Sequence, residues 1–144
     1  MLARVRRALR AVNGAIQRGA ESVGVTMQQQ SVLLALAAYG GDHVPLVDVR
    51  EELEMDQATA SVLLARLVKE DLVRRDVSTD RRAAEISLTT KGWATFRRSV
   101  DAIRKEMRWA AHRGELDALT DELMPYLDYY LGPRTTRSRA RTAR

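Results

Sequence analysis

The sequence predicts a mainly α fold: a helix-turn-helix followed at once by a small β-hairpin wing, with further helices at both ends of the chain. Three observations predict it. Apolar residues recur at three- and four-residue steps through most of the 144 residues. The period changes to two only between about Leu72 and Leu88. Thr, Ser or Asp precedes several of the periodic runs and Gly follows them, which is how helices start and stop.

Residues 2–20 read as the first helix, with Val5, Leu9, Val12 and Ile16 on one face. Gly14 and Gly19 weaken it, and Gly24 lies beyond its end. Thr26 is placed to cap a second helix with the body QQQSVLLALAAY, and Gly40-Gly41 ends it. A short extended piece at residues 43–45 follows. Residues 46–53 form a short helix with Leu46, Val49 and Leu53 inward. Asp56 caps the next helix, 57–70, where Ala60, Leu63, Leu64 and Leu67 make an apolar stripe. Two short helices joined by a three-residue turn, the second capped and amphipathic, fit a helix-turn-helix.

Beyond Asp71, residues 72–76 read as a strand and 77–82 as a turn. Ala84, Ile86 and Leu88 alternate with Glu85 and Ser87, the pattern of a half-buried strand. Thr89 or Thr90 caps a long helix to about Ala111, with Trp93, Phe96, Val100, Ile103 and Met107 near a seven-residue repeat. Gly114 breaks it. A last helix, 115–131, carries Leu116, Leu119, Leu123 and Leu127, and Gly132-Pro133 ends it. The organisation expected is an N-terminal helix (1–24), a lobe holding the helix-turn-helix and its hairpin (25–92), C-terminal helices (93–132) and a basic flexible tail (133–144).

Composition narrows the function. The chain is 45% hydrophobic and 30% charged, a globular balance, and no apolar run is long enough for a membrane span. The basic N-terminus lacks the apolar core of a signal peptide. With no cysteine there are no disulfides and no thiolate metal site, which fits a reducing, cytoplasmic setting. The net charge is +5, and the five arginines of residues 134–144, with no acid among them, account for it. Within the rest, Arg4, Arg6, Arg7, Arg10 and Arg18 oppose Glu115, Asp117, Asp121, Glu122 and Asp128. If the first and last helices meet across a dimer, these charges select the pairing. The apolar stripes stabilise it, at roughly 1.5–3 kcal/mol per buried Leu or Val.

With its apolar stripe inward, the 57–70 helix presents Gln57, Ala58, Ser61, Val62 and Ala65. Small residues allow close approach to a groove floor. Gln57 and Ser61 can hydrogen-bond base edges or phosphates, while Ala58 and Val62 can touch thymine methyls. Arg74, Arg75, Arg81 and Arg82 crowd the hairpin, where Asp80 can fix one arginine while another enters a narrow minor groove.

From about Val25 to Gly92 the chain resembles the MarR family of bacterial winged helix-turn-helix regulators. The resemblance lies in VTMQQQSVLLALAAYGG, in LVDVREELEMDQATASVLLARLVKEDLVRR and above all in DRRAAEISLTTKG, with Asp80, Arg82, Leu88, Thr89 and Gly92 at the family's spacing. It implies a homodimer built on Val5, Leu9, Val12, Ile16, Leu116, Leu119, Leu123 and Leu127. It also implies a recognition helix reading double-stranded DNA through Gln57, Ala58, Thr59, Ser61, Val62 and Arg66, and a wing with Asp80, Arg81 and Arg82 at the minor groove. It further implies repression of transcription, and release by a small aromatic or anionic effector. Three positions depart from the family. Val62 stands where a basic residue is common. Asp71 replaces a common glycine, which leaves that turn open to a different build. Pro125 falls inside the last helix, where it removes a backbone bond.

No enzyme constellation occurs, and no cofactor or metal is called for. The only histidines are His43 and His112, and Glu106 and His112, six apart, do not share a helical face. Trp93, Trp109, Tyr39, Tyr126, Tyr129 and Tyr130 read as core or interface more readily than as a ligand pocket. Two alternatives stay open beside the regulator: a winged-helix protein-interaction module, and a non-specific architectural DNA binder dominated by the arginine tail.

Overall fold

The computed structural model describes residues 2–76 and 84–118. Their elements run α1 (Leu2–Glu21), α2 (Met27–Ala38), β1 (Val44–Pro45), α3 (Leu46–Glu52), α4 (Gln57–Lys69), β2 (Val73–Asp76), β3 (Glu85–Leu88) and α5 (Thr90–His112). The chain divides into two compact units, Ala15–Glu106 and the pair Met1–Gly14 with Met107–Arg144.

The larger unit is built on one apolar cluster. Val32, Leu33 and Leu36 of α2, Leu63, Leu64 and Leu67 of α4, and Val44, Val73, Ile86 and Leu88 of the strands are buried in it. Trp93 and Phe96 pack against the cluster, edge to face with ring centroids 6.1 Å apart. Beside it lies an antiparallel sheet in the order β1-β3-β2. Val44 pairs with Ile86 in one ladder, and Val73 with Leu88 through Asp76 with Glu85 in the other.

The sheet differs from a simple hairpin in two ways. The extended piece becomes a third strand, so β3 is central. His43 is not extended; it sits at φ 48, in the left-handed region. Ser87 is fully buried rather than facing solvent, because its hydroxyl has partners: it accepts from the His43 N–H at 2.8 Å and donates to Asp42 at 2.9 Å. A buried hydroxyl costs little once hydrogen-bonded, so alternation alone misplaces it.

Asp71 adopts φ 59, the left-handed conformation that a glycine takes most readily and that Asp, with its short polar side chain, tolerates. Gly92 is fixed by packing. A Cβ there would fall 2.0 Å from the Leu72 carbonyl oxygen. Thr89 caps α5, its Oγ1 accepting from the Gly92 N–H at 2.9 Å while donating to the Asp71 carbonyl at 2.6 Å.

On α1 the fully buried positions are Ala8, Ala15 and Ala20, while Val5, Val12 and Ile16 are half-buried and Leu9 is 49% exposed. Small residues lie innermost because the helices approach closely: a Cβ on Gly19 would meet the Ile103 backbone within 2.7 Å. Arg18 pairs with Glu106 of its own chain at 2.8 Å, an exposed contact worth about 0–1 kcal/mol. In the smaller unit Ala110 and Ala118 are buried and Leu116 half-buried. Trp109 is 59% exposed and stacks on His112, and Gly114 ends α5 at φ 68. Leu119, Leu123, Leu127, Pro125, Tyr126, Tyr129, Tyr130 and the tail lie outside the described residues.

Candidate nucleic-acid interface

Helix α4 is placed by its two ends and its inner face. At its start Asp56 is extended, and its carboxylate accepts from the Thr59 N–H at 2.7 Å and the Thr59 hydroxyl at 3.1 Å. The Thr59 amide bond first, then the hydroxyl, hold the Asp56 carboxyl below its usual value of 3.8. Thr59 is therefore committed to the cap and has less left to offer a ligand.

At the far end, Glu70 is the C-cap. Its carboxylate accepts from the Gln29 amide at 2.9 Å. Gln29 is only 2% exposed and also closes a capping box with Thr26 at the start of α2. One buried side chain thus ties the beginning of α2 to the end of α4.

The inner stripe is the one expected: Ala60, Leu63, Leu64 and Leu67 are all buried. The opposite side presents Gln57, Ala58, Ser61, Val62, Ala65 and Arg66 to solvent, with Val62 71% exposed. The side chains of Gln57 and Ser61 make no hydrogen bond to any described residue. A valine so exposed on a folded surface gains nothing from burial within the chain. Beside it opens a groove of about 370 Å³ lined by Gln28, Ala58, Thr59, Val62, Leu63 and Arg66. Gln28, at the start of α2, joins this surface only through tertiary packing, and no local pattern marks it.

The strands carrying the wing emerge next to α4. Asp76 and Glu85 form the last pair of the β2–β3 ladder, and residues 77–84 link them. Arg74 is turned onto carboxylates, donating to Asp76 and to Asp42 at 3.0 Å each. Arg75 is exposed. Burial works to raise the Asp76 carboxyl, but the Ser87 hydroxyl and the Arg74 guanidinium outweigh it and hold the group below 3.8. Asp80, Arg81 and Arg82 fall outside the described residues. Glu106 is engaged by Arg18, and His112 by Trp109.

The MarR family model matches residues 23–83. A mutant of MepR from S. aureus, solved bound to an oligodeoxyribonucleotide, is 24% identical, covering 88% of this chain and 94% of that one at a TM-score of 0.65. A mutant of MarR from E. coli, solved complexed with operator DNA, is 20% identical over 88% and 87% of the two chains, with a TM-score of 0.69. MepR itself, a transcription regulator of the S. aureus multidrug efflux pump MepA, is 22% identical over 84% and 90%, with a TM-score of 0.67. No curated protein matches the chain. At these identities the structural likeness is one of fold.

Proposed function

We propose that this chain, whose residues 23–83 match the MarR family model, is a sequence-specific DNA-binding transcriptional regulator. It acts as a homodimeric repressor on a pseudo-palindromic operator. The observation that carries the reading is the outward face of α4: small, unbonded and apolar at Val62, on a helix capped by Asp56 and tied to α2 through Gln29 and Glu70. Such a face fits a major-groove floor, with Gln57 and Ser61 bonding base edges and Ala58 and Val62 meeting thymine methyls. Arg66, at the edge of the same groove, reaches phosphate. The hairpin continues from the paired ends at Asp76 and Glu85, so Arg82, steered by Asp80, serves the adjacent minor groove. Two-fold dimers of this kind place half-site centres about one helical turn apart. Release by a small aromatic or anionic effector completes the reading.

Selection of bound sequences from random duplex DNA, followed by titration at several salt concentrations, tests it. A palindromic preference with a large specificity ratio is expected, with light scattering returning twice the 16.2 kDa chain mass. Arg82→Ala should relax preference at A·T-rich flanks while the chain stays folded. Binding without preference would instead identify an architectural binder, and no binding at low salt an interaction module.

A further inference from the structure

The side chains at the base of the hairpin form a group that DNA reading does not use. Asp42 and His43 lead into β1, Asp76 ends β2 and Glu85 begins β3. His43 Nδ1 lies 3.2 Å from Glu85 Oε2 and 3.6 Å from Asp76 Oδ2. Ligand atoms of Asp42, His43 and Asp76 all fall within 4.8 Å of one another. The Asp76 side chain is only 5% exposed. Among the described residues, Arg74 pairs with two of the three carboxylates, Asp42 and Asp76, while Glu85 faces His43.

We propose that Asp42, His43, Asp76 and Glu85 form a divalent transition-metal site at the base of the wing, bound through one imidazole nitrogen and carboxylate oxygens. The spacing supports it. Ligand atoms about 2.0–2.2 Å from a tetrahedral zinc ion sit about 3.3–3.6 Å from each other. The Nδ1 separations of 3.2 and 3.6 Å match that spacing, so Glu85 and Asp76 each stand at ligand distance from the His43 nitrogen. Asp42, whose side chain is 67% exposed, supplies the fourth ligand by a change of rotamer. Arg74, 53% exposed, swings into solvent as the ion takes over its charge.

Hydrogen bonds that would orient these side chains are in place as well. The Ser87 hydroxyl bonds both Asp42 and Asp76, and it also holds the His43 N–H, fixing the histidine in its left-handed conformation. The mix of one imidazole and oxygens favours zinc or a neighbouring transition metal over calcium, which takes oxygens alone. An ion here would clamp the lead-in to β1 onto the paired ends of β2 and β3, from which residues 77–84 depart.

Zinc chloride titrated calorimetrically into the chelator-treated full chain tests this without any DNA, so the result stands apart from the regulator reading. Uptake of one zinc per chain is expected. His43→Asn, which keeps a residue tolerant of positive φ, should weaken it by at least roughly tenfold, the low end of what even a lost outer-shell partner costs. Glu85→Gln should weaken it in the same direction, and it stands in if circular dichroism shows His43→Asn to be misfolded. His112→Gln should bind as the parent does. Absent stoichiometric uptake, uptake unchanged in both wing-base variants, or uptake lost in His112→Gln would each overturn the proposal.

Discussion

Helices α2 and α4 have 12 and 13 residues, both start with a side-chain cap, and both pack into the same apolar cluster, yet they meet solvent differently. In α2 the buried residues are Gln29, Gln30, Val32, Leu33, Ala35 and Leu36, spread around much of the helix and including two amides. In α4 burial is confined to Ala60, Leu63, Leu64 and Leu67, and the rest is open. A helix enclosed on several sides is scaffold, and its substitutions act on stability. A helix buried along one stripe has a spare face, and substitutions there act on whatever docks against it. Because Gln29 bonds Glu70, the enclosed helix also sets where the open one points.

The sharpest way to break this contrast is Leu36→Ala against Val62→Ala. Leu36 is fully buried, so its truncation should cost about 2–5 kcal/mol in urea unfolding. Val62, 71% exposed, should change stability by no more than about 0.5 kcal/mol. Comparable losses at the two positions would mean that α4 is enclosed by something in the native assembly. Next, Gln29→Ala removes both the capping box and the tie to Glu70 and leaves buried polar groups unpaired. It should cost about 1–3 kcal/mol. A loss well under 1 kcal/mol would show that α4 is positioned without α2.

Gln57→Ala sharpens the comparison from the other side. Folding should be unaffected, while discrimination inside the half-site falls by about 1–3 kcal/mol if the contact is bidentate, as measured by competition between selected and altered operators. Stability loss without loss of discrimination would return α4 to the scaffold class. The smallest effect belongs to the Asp56 cap. Its carboxyl is held below 3.8, so its contribution is complete above that value and fades as pH falls through the lower, folded-state value. The thermal stability difference between parent and Asp56→Ala should therefore be steady near neutral pH and shrink below about pH 4. A difference unchanged down to pH 2 would show that the carboxylate is not the cap.

Much of the larger unit was legible in the sequence because it rests on local rules. Thr26 and Asp56 announce their helices through the hydrogen bonds their side chains make to the first turn. The 60/63/64/67 spacing defines an inward stripe, and its complement names the exposed candidates Gln57, Ala58, Ser61 and Val62. These follow from the 3.6-residue repeat alone. What only the tertiary structure decided involves partners distant in sequence. Ser87 reads as a solvent-facing strand residue until Asp42, His43 and Asp76 arrive to bond it. Gln28 joins the α4 groove, and Gln29 reaches 41 residues to Glu70. Ala8, Ala15 and Ala20, which the Val5–Ile16 spacing does not mark, are the innermost residues of α1 within the chain, because a close helix crossing favours small side chains over large ones. Periodicity reports which face of an element is apolar. Which polar groups are buried and satisfied depends on pairings across the fold, and those no local pattern encodes.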